Sequence, residues 1–463
     1  MILPSRLFPA LLLLAAGPLL AAAPAGTYSP ADYGAVFDGA TNDGPAIQKA
    51  IDAAAAAGGG TVVLPAGRTA MSGSLELKSH LTFRLEPGSK LVASLNPADY
   101  TVPILIRAVQ AEDVAITGTG TVEGRGVDFM AGRNEVIYHA KDWRPNLVML
   151  RQCRHVRLSD FTLRDSPRFT IQFAGCEDVE ARGLTILNNL EIPNCDGIDP
   201  VCSRDVRITG CSIQTGDDCV AISTGAPGTP DGKPREPGLG PAENIIVTDC
   251  VLTTQDSALK IGSGTPGDVR NVIFADCVVK RALRGVDIMA RDGGNVENVV
   301  ARNIVIQTQL YGRPWWGASE AVYVTAVPRS AQTKLGHVRG VHVSGIVAHG
   351  EAGVFIRGTP DSPIEDIHLS DITLDIAKTT AWPSRIDLRP TMGQRVPLEQ
   401  GVVVAGFDLQ DVKGATIRDC DVRWGPNPPA NFGPVLQQVR VADLTVENLR
   451  GHDAHAPEPK GGN

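Results

Sequence analysis

Nine segments of the chain share one hydropathy pattern, and that repeat limits the possible folds more than any other feature. They are VRLSDFTL (Val156–Leu163), VEARGLTI (Val179–Ile186), VRITGCSI (Val206–Ile213), IIVTDCVL (Ile245–Leu252), VIFADCVV (Val272–Val279), VVARNIVI (Val299–Ile306), VHVSGIVA (Val341–Ala348), IHLSDITL (Ile367–Leu374) and ATIRDCDV (Ala415–Val422). Each reads apolar-x-apolar, a two-residue polar or Gly step, then apolar-x-apolar. Alternation marks strands with one buried face, and the step marks a corner. Units start about 23 to 27 residues apart where nothing intervenes. The larger gaps, 206 to 245 and 299 to 341, hold the loops GAPGTPDGKPREPGLGP and YGRPWWG. Short strands at such a period make a solenoid. The expected fold is therefore all-β, a right-handed parallel β-helix.

Cys211, Cys250, Cys277 and Cys420 fall at one repeat position, where other units carry Phe161, Leu184 or Ile304. That predicts an internal stack of side chains, with these four in the core rather than in disulfides. The open N-terminal end of a solenoid needs a cover. TNDGPAIQKAIDAAAAAGGG supplies a capping helix: Asn42 or Asp43 as its cap, Pro45 in its first turn and Gly58–Gly60 as its stop.

The first 25 residues read as a secretory signal peptide, with Arg6, an apolar run from Leu7 to Leu20 and small residues after it. The expected organisation is a signal peptide at 1–25, a single β-helix domain at 26–454 and a disordered tail at 455–463, in a secreted or periplasmic protein free of the membrane after processing. A net charge of −8 speaks against a nucleic-acid partner. No metal-type Cys-x-x-Cys pair or phosphate-binding loop is present, so no cofactor is expected. A monomer is expected.

One stretch departs from structural monotony. NCDGIDPVCSRDV (Asn194–Val206) and QTGDDCVAI (Gln214–Ile222) bring Asp196, Asp199, Asp205, Asp217 and Asp218 between strand-like Val and Ile. Asp is a common turn residue, and Asp199 and Asp205 fit that role. Carboxyls gathered in space can also share protons during bond cleavage. Adjacent solenoid turns stack about 4.8 Å apart, so Asp196 can meet residues near 217 one turn later. Asp217 and Asp218 both face one groove only if the backbone bends, and Gly216 permits that.

These residues carry a resemblance. DYGAVFDGATNDGPAIQKAIDAA is similar to the entry segment of secreted pectin-active β-helix proteins. NCDGID resembles the Asn-Thr-Asp-Gly-Ile-Asp motif of glycoside hydrolase family 28, the polygalacturonase family, and GDDC at Gly216–Cys219 matches that family's Gly-Asp-Asp motif. The resemblance implies glycosidic hydrolysis with inversion, Asp217 as general acid, and Asp196 and Asp218 activating water. Inverting glycosidases hold acid and base about 6.5–9.5 Å apart. Asn194 positions the loop or the water.

The departures bear on the substrate. Gln255-Asp256-Ser257 stands where the family carries Gly-His-Gly, and Asp287 and Met289 stand for the Arg and Lys of Arg-Ile-Lys, which grips a sugar carboxylate. An Asp there repels an anionic sugar. Lys260, Arg284 and Arg291 either replace the lost cations or are solvated surface charges. Trp315 and Trp316 offer a sugar platform or anchor a loop. With Asn194, Asp256 and Asp287 these complete the substrate-binding candidates, for a pectic or related polysaccharide or oligosaccharide. The rivals are a Ca²⁺-dependent β-helix lyase and a noncatalytic glycan-binding solenoid.

Overall fold

A computed structural model describes residues 26–225, 239–389 and 402–456. The expected signal peptide and most of the GAPGTPDGKPREPGLGP loop lie outside these residues, as does the end of the tail. Thirty-three of the described strands join one sheet whose pairings are parallel; a short antiparallel hairpin, Met130–Arg133 with Tyr138–Ala140, stands apart. The sheet coils as a parallel β-helix.

The repeat is the register. Val156 lies opposite Val179, which lies opposite Val206, and the chain of partners runs on through Ile245, Val272, Val299, Val341, Ile367 and Ala415. These positions are the nine segment starts. The corner is equally regular, because the second residue of every two-residue step has a positive φ: Asp160, Gly183, Gly210, Asp249, Asp276, Asn303, Gly345, Asp371 and Asp419. Only Gly, Asn and Asp enter the left-handed region at small cost, which explains why no other residue type fills the second position of the step.

Inward side chains form one continuous apolar core along the coil. Cys211, Cys250, Cys277 and Cys420 lie in it, and all nine cysteines are buried with no disulfide among them. The helix Gly44–Ala56 buries Ile47, Ala50, Ile51 and Ala54 against the first turns. Asp43 holds the N-cap position without a capping side-chain bond, and the Oδ1 of Asn42 before it accepts from the Gly44 amide at 2.9 Å. Asp43 is spent elsewhere, accepting from the amides of Val36 (2.7 Å) and Phe37 (3.1 Å).

Candidate active site

The acidic residues sit where three successive turns leave the regular repeat. Between the strands Ser212–Thr215 and Val220–Ile222 the backbone bends instead of running on. Gly216 makes the bend possible: its amide donates to the Cys195 sulfur at 3.1 Å, and a Cβ there would lie 2.4 Å from the Ile192 carbonyl oxygen. Ile192 and Cys195 are pinned in a small apolar cluster with Phe129 and Met130. The next turn steadies the bend from the other side, since the hydroxyls of Thr215 and Thr254 both donate to the Asp217 carbonyl. Gly197 lets the turns close up; a Cβ on it would meet the Cys219 carbonyl oxygen at 2.4 Å.

The bend brings the three expected carboxylates together. One oxygen each of Asp196, Asp217 and Asp218 lies within 4.8 Å of the other two. That is tighter than the roughly 6.5–9.5 Å of inverting pairs. Asp217 is partly exposed and accepts from the Asn194 amide at 2.9 Å, whereas Asp196 and Asp218 are buried. Asn194, exposed and at φ 58°, is held in turn by Arg144, which donates to its Oδ1 at 2.7 Å and to the Pro193 carbonyl at 2.6 Å. Asp218 accepts from the Ser257 amide (3.2 Å) and the Lys260 ammonium (2.7 Å). Such a trio of oxygens can hold a hard cation, but Lys260 already places a positive charge in the cluster.

Burial, then mutual repulsion, pushes the carboxyls of Asp196 and Asp199 well above the ordinary range. Asp218 is raised by burial too, with Lys260 acting against the rise. Asp199 corrects the turn-residue expectation. It lies inside the strand Ile198–Val201, 4% exposed, and its Oδ1 has no partner among the described residues. Asp205 keeps the expected corner role, at φ 56° and accepting from the Asn244 side chain at 3.0 Å.

The cations need correction as well. None of Lys260, Arg284 and Arg291 is a solvated surface charge; all three are buried. Asp256, Arg284 and Asp287 are wholly sealed, so they do not face a sugar in this structure. Arg284 donates to Glu320 (3.2 Å) and Asp287 (3.3 Å) and covers the Tyr323 ring at 3.7 Å. Asp287 is thus neutralised beneath the surface, and its expected repulsion of an anionic sugar falls away. Burial pushes Asp256 up to about 8. Arg291 is lowered to about 10, by burial and then by Arg329 and Arg389. The tryptophans differ: Trp315 is a buried anchor donating to the Val136 carbonyl at 3.0 Å, while Trp316 is 38% exposed.

A segment that the repeat analysis passed over brings a further cation to the acidic cluster. Residues 378–389 cross back over the sheet. Arg385 donates to the carbonyls of Gly317 (2.6 Å), Tyr311 (2.9 Å) and Trp315 (3.2 Å), tying this strap to the tryptophan insertion. The Asp387 carbonyl accepts from Tyr323 (2.9 Å) and Arg284 (3.0 Å). Arg389 then reaches Asp256 at 3.4 Å and lies over the Trp316 ring at 5.0 Å, with its Nε unpartnered among the described residues. The one signal in the sequence was the long interval between the units at Ile367 and Ala415, which holds both arginines. Arg144 had no such signal.

Comparison with known proteins agrees with this architecture. The family model described as glycosyl hydrolases family 28 matches residues 57–387. A polygalacturonase of Chamaecyparis obtusa is 32% identical over 203 residues, 42% of this chain and 39% of that protein. A probable polygalacturonase of Arabidopsis thaliana is 34% identical over 198 residues, 42% of each. The chain thus spans about two-fifths of the length of these relatives. Among solved structures, an exopolygalacturonase from Thermotoga maritima shares the fold with a TM-score of 0.64 at 24% identity, covering 77% of this chain and 88% of that one. A family 28 exopolygalacturonase from Yersinia enterocolitica does so at 0.62 and 18%, covering 93% and 79%. With the family model spanning most of the chain over the same coiled sheet and acidic bend, the protein belongs to glycosyl hydrolases family 28.

Proposed function

We propose that the protein is a secreted glycosidase that hydrolyses a glycosidic bond in a pectic or related plant cell-wall glycan. The observation that carries this reading is the meeting of Asp196, Asp217 and Asp218 within 4.8 Å at the bend. Asp217, the one partly exposed member, gives its proton to the leaving-group oxygen as the bond to the anomeric carbon breaks. Water held by Asp196 and Asp218 attacks that carbon from the opposite face, and its proton passes to Asp218. Arg389 and the exposed face of Trp316 suit a sugar ring bearing a carboxylate, through charge and stacking. The names of the relatives point to the same substrate class.

The short carboxyl spacing favours a second stereochemical reading, retention through a covalent glycosyl intermediate, because retaining pairs stand about 5–5.5 Å apart. One experiment separates the possibilities. Incubation with a panel of pectic oligosaccharides, followed by reducing-end assay and proton NMR, should show new reducing ends whose first-formed anomer is inverted. A retained anomer would transfer the water's role to a nucleophilic carboxylate. An unsaturated, ultraviolet-absorbing product lost with chelator would mean a lyase, and no product from any glycan would leave a binding solenoid.

A further inference from the structure

The cluster poses a problem of proton placement that its carboxyls cannot solve alone. Four of them, Asp196, Asp199, Asp217 and Asp218, act on one another across two adjacent turns. Hydrolysis needs one held ionised to take a proton from water and another holding a proton to give away. Equivalent carboxyls in mutual contact would share protons without fixed roles. Something must break the symmetry.

We propose that Lys260 is the positioning residue that does so: its ammonium keeps Asp218, and not its neighbours, as the ionised member of the cluster. This rests on the glycosidase reading above and adds an assignment within it. Lys260 lies in the strand Ser257–Ile261, one turn beyond the acidic bend, and is 2% exposed. Its Nζ stands 2.7 Å from Asp218 Oδ2, the one salt bridge that reaches any of the four carboxylates among the described residues. The Ser257 amide, on the same strand, donates to the other oxygen of Asp218 at 3.2 Å. Asp196 and Asp199 each keep an oxygen without a partner. A buried carboxyl lacking a counter-ion holds its proton, whereas an opposite charge within about 4–6 Å lowers a carboxyl pKa by about one to three.

Every other charge facing the pair leaves that arrangement standing. Burial and Arg389 act against the Lys260 ammonium, but Asp218, Asp256 and Asp287 outweigh them and hold its pKa above the usual lysine value. Asp287 gives one oxygen to Arg284 and to the Ser257 hydroxyl, at 3.3 and 2.7 Å. Asp256, pushed up to about 8 by burial, is mostly neutral in the acid range. Arg389 bonds Asp256 at 3.4 Å and also favours the ionised Asp218, while Asp217 opposes it, but both act on Asp218 less than Lys260 does. The positive charge of Lys260 therefore falls chiefly on Asp218.

The test is the pH profile of kcat/KM on a glycan the wild type hydrolyses. A base active only when ionised sets the acid limb. Lys260→Met should move that limb up by about one to three pH units, and Lys260→Arg should return most of the shift. A limb in Lys260→Met that coincides with wild type overturns the proposal. A second measurement does not depend on turnover. Lys260→Met and Asp218→Asn each leave one buried charge unpaired and should each lower Tm, while the double variant should lose clearly less than the sum. Strictly additive losses would also overturn it. A wild type that hydrolyses nothing in the panel sinks the glycosidase reading instead, and the thermal cycle still reports on the pair.

Discussion

Two columns of side chains climb the same coil with the same period, and they meet opposite fates. At one corner Asn298 donates to Asn271 (3.2 Å), Asn271 to Asn244 (2.9 Å) and Asn244 to Asp205 (3.0 Å), all four residues at φ between 56° and 58°. Each rung there repeats the last, and the amides are exposed and satisfied. On the outer face of the neighbouring strands Lys260 lies opposite Asp287, and Asp287 opposite Tyr323, with Asp199 two turns before Lys260. This column is buried and chemically different at each rung. It leaves oxygens of Asp199 and Asp287 without partners among the described residues. Repetition holds where the coil must close its hydrogen bonds; it lapses where charges are stored under cover. Unpaired buried polar groups are costly, so the second column is sustained by the first.

If that contrast is right, substitutions in the two columns should differ in kind. The largest effect should come from the acidic bend, where Asp196→Asn and Asp217→Asn should each lower kcat by about 10²–10⁴ while circular dichroism stays unchanged. Next, Arg284→Met strips a sealed cation from Glu320 and Asp287 and should cost about 3–5 kcal/mol in chemical denaturation. Asp199→Asn should go the other way. The folded carboxyl, raised by burial and by Asp218, binds its proton more tightly than the unfolded chain. Stability is therefore full below about pH 4 and falls as pH climbs. The substitution should raise Tm at pH 7 by about 2–4 °C, with the gain vanishing near pH 4. Arg389→Ala should raise KM for an acidic oligosaccharide about tenfold, or 1.4 kcal/mol, and leave kcat nearly intact. At the corner, Asn271→Ala should cost only about 1 kcal/mol and leave activity untouched.

The same contrast explains what the sequence disclosed. The corner pattern is local and periodic, so the nine segment starts align with the strand register without adjustment, and the cysteine column reads as core. The acidic bend was legible because Gly216 and two neighbouring aspartates break that period. Burial of the charges was not. Lys260, Arg284 and Asp287 occupy positions in strands that alternate outward, where charge ordinarily means solvent. A strap about a hundred residues further on reaches this region, Arg284 meeting Asp387 and Arg291 meeting Arg389. Asp199 was misread for the same reason: its residue type favours turns, and only the stacking of turns places it inside a strand. A contact between distant segments leaves no period to detect.

The account stands most directly on where a sugar binds. A crystal structure of the Asp217→Asn variant soaked with an acidic pectic oligosaccharide reads this without turnover. We expect a ring over Trp316 with its carboxylate at Arg389, the glycosidic oxygen about 3 Å from the residue 217 side chain, and a water between Asp196 and Asp218. An oligosaccharide ordered on another face of the coil, with the acidic bend empty, would contradict it.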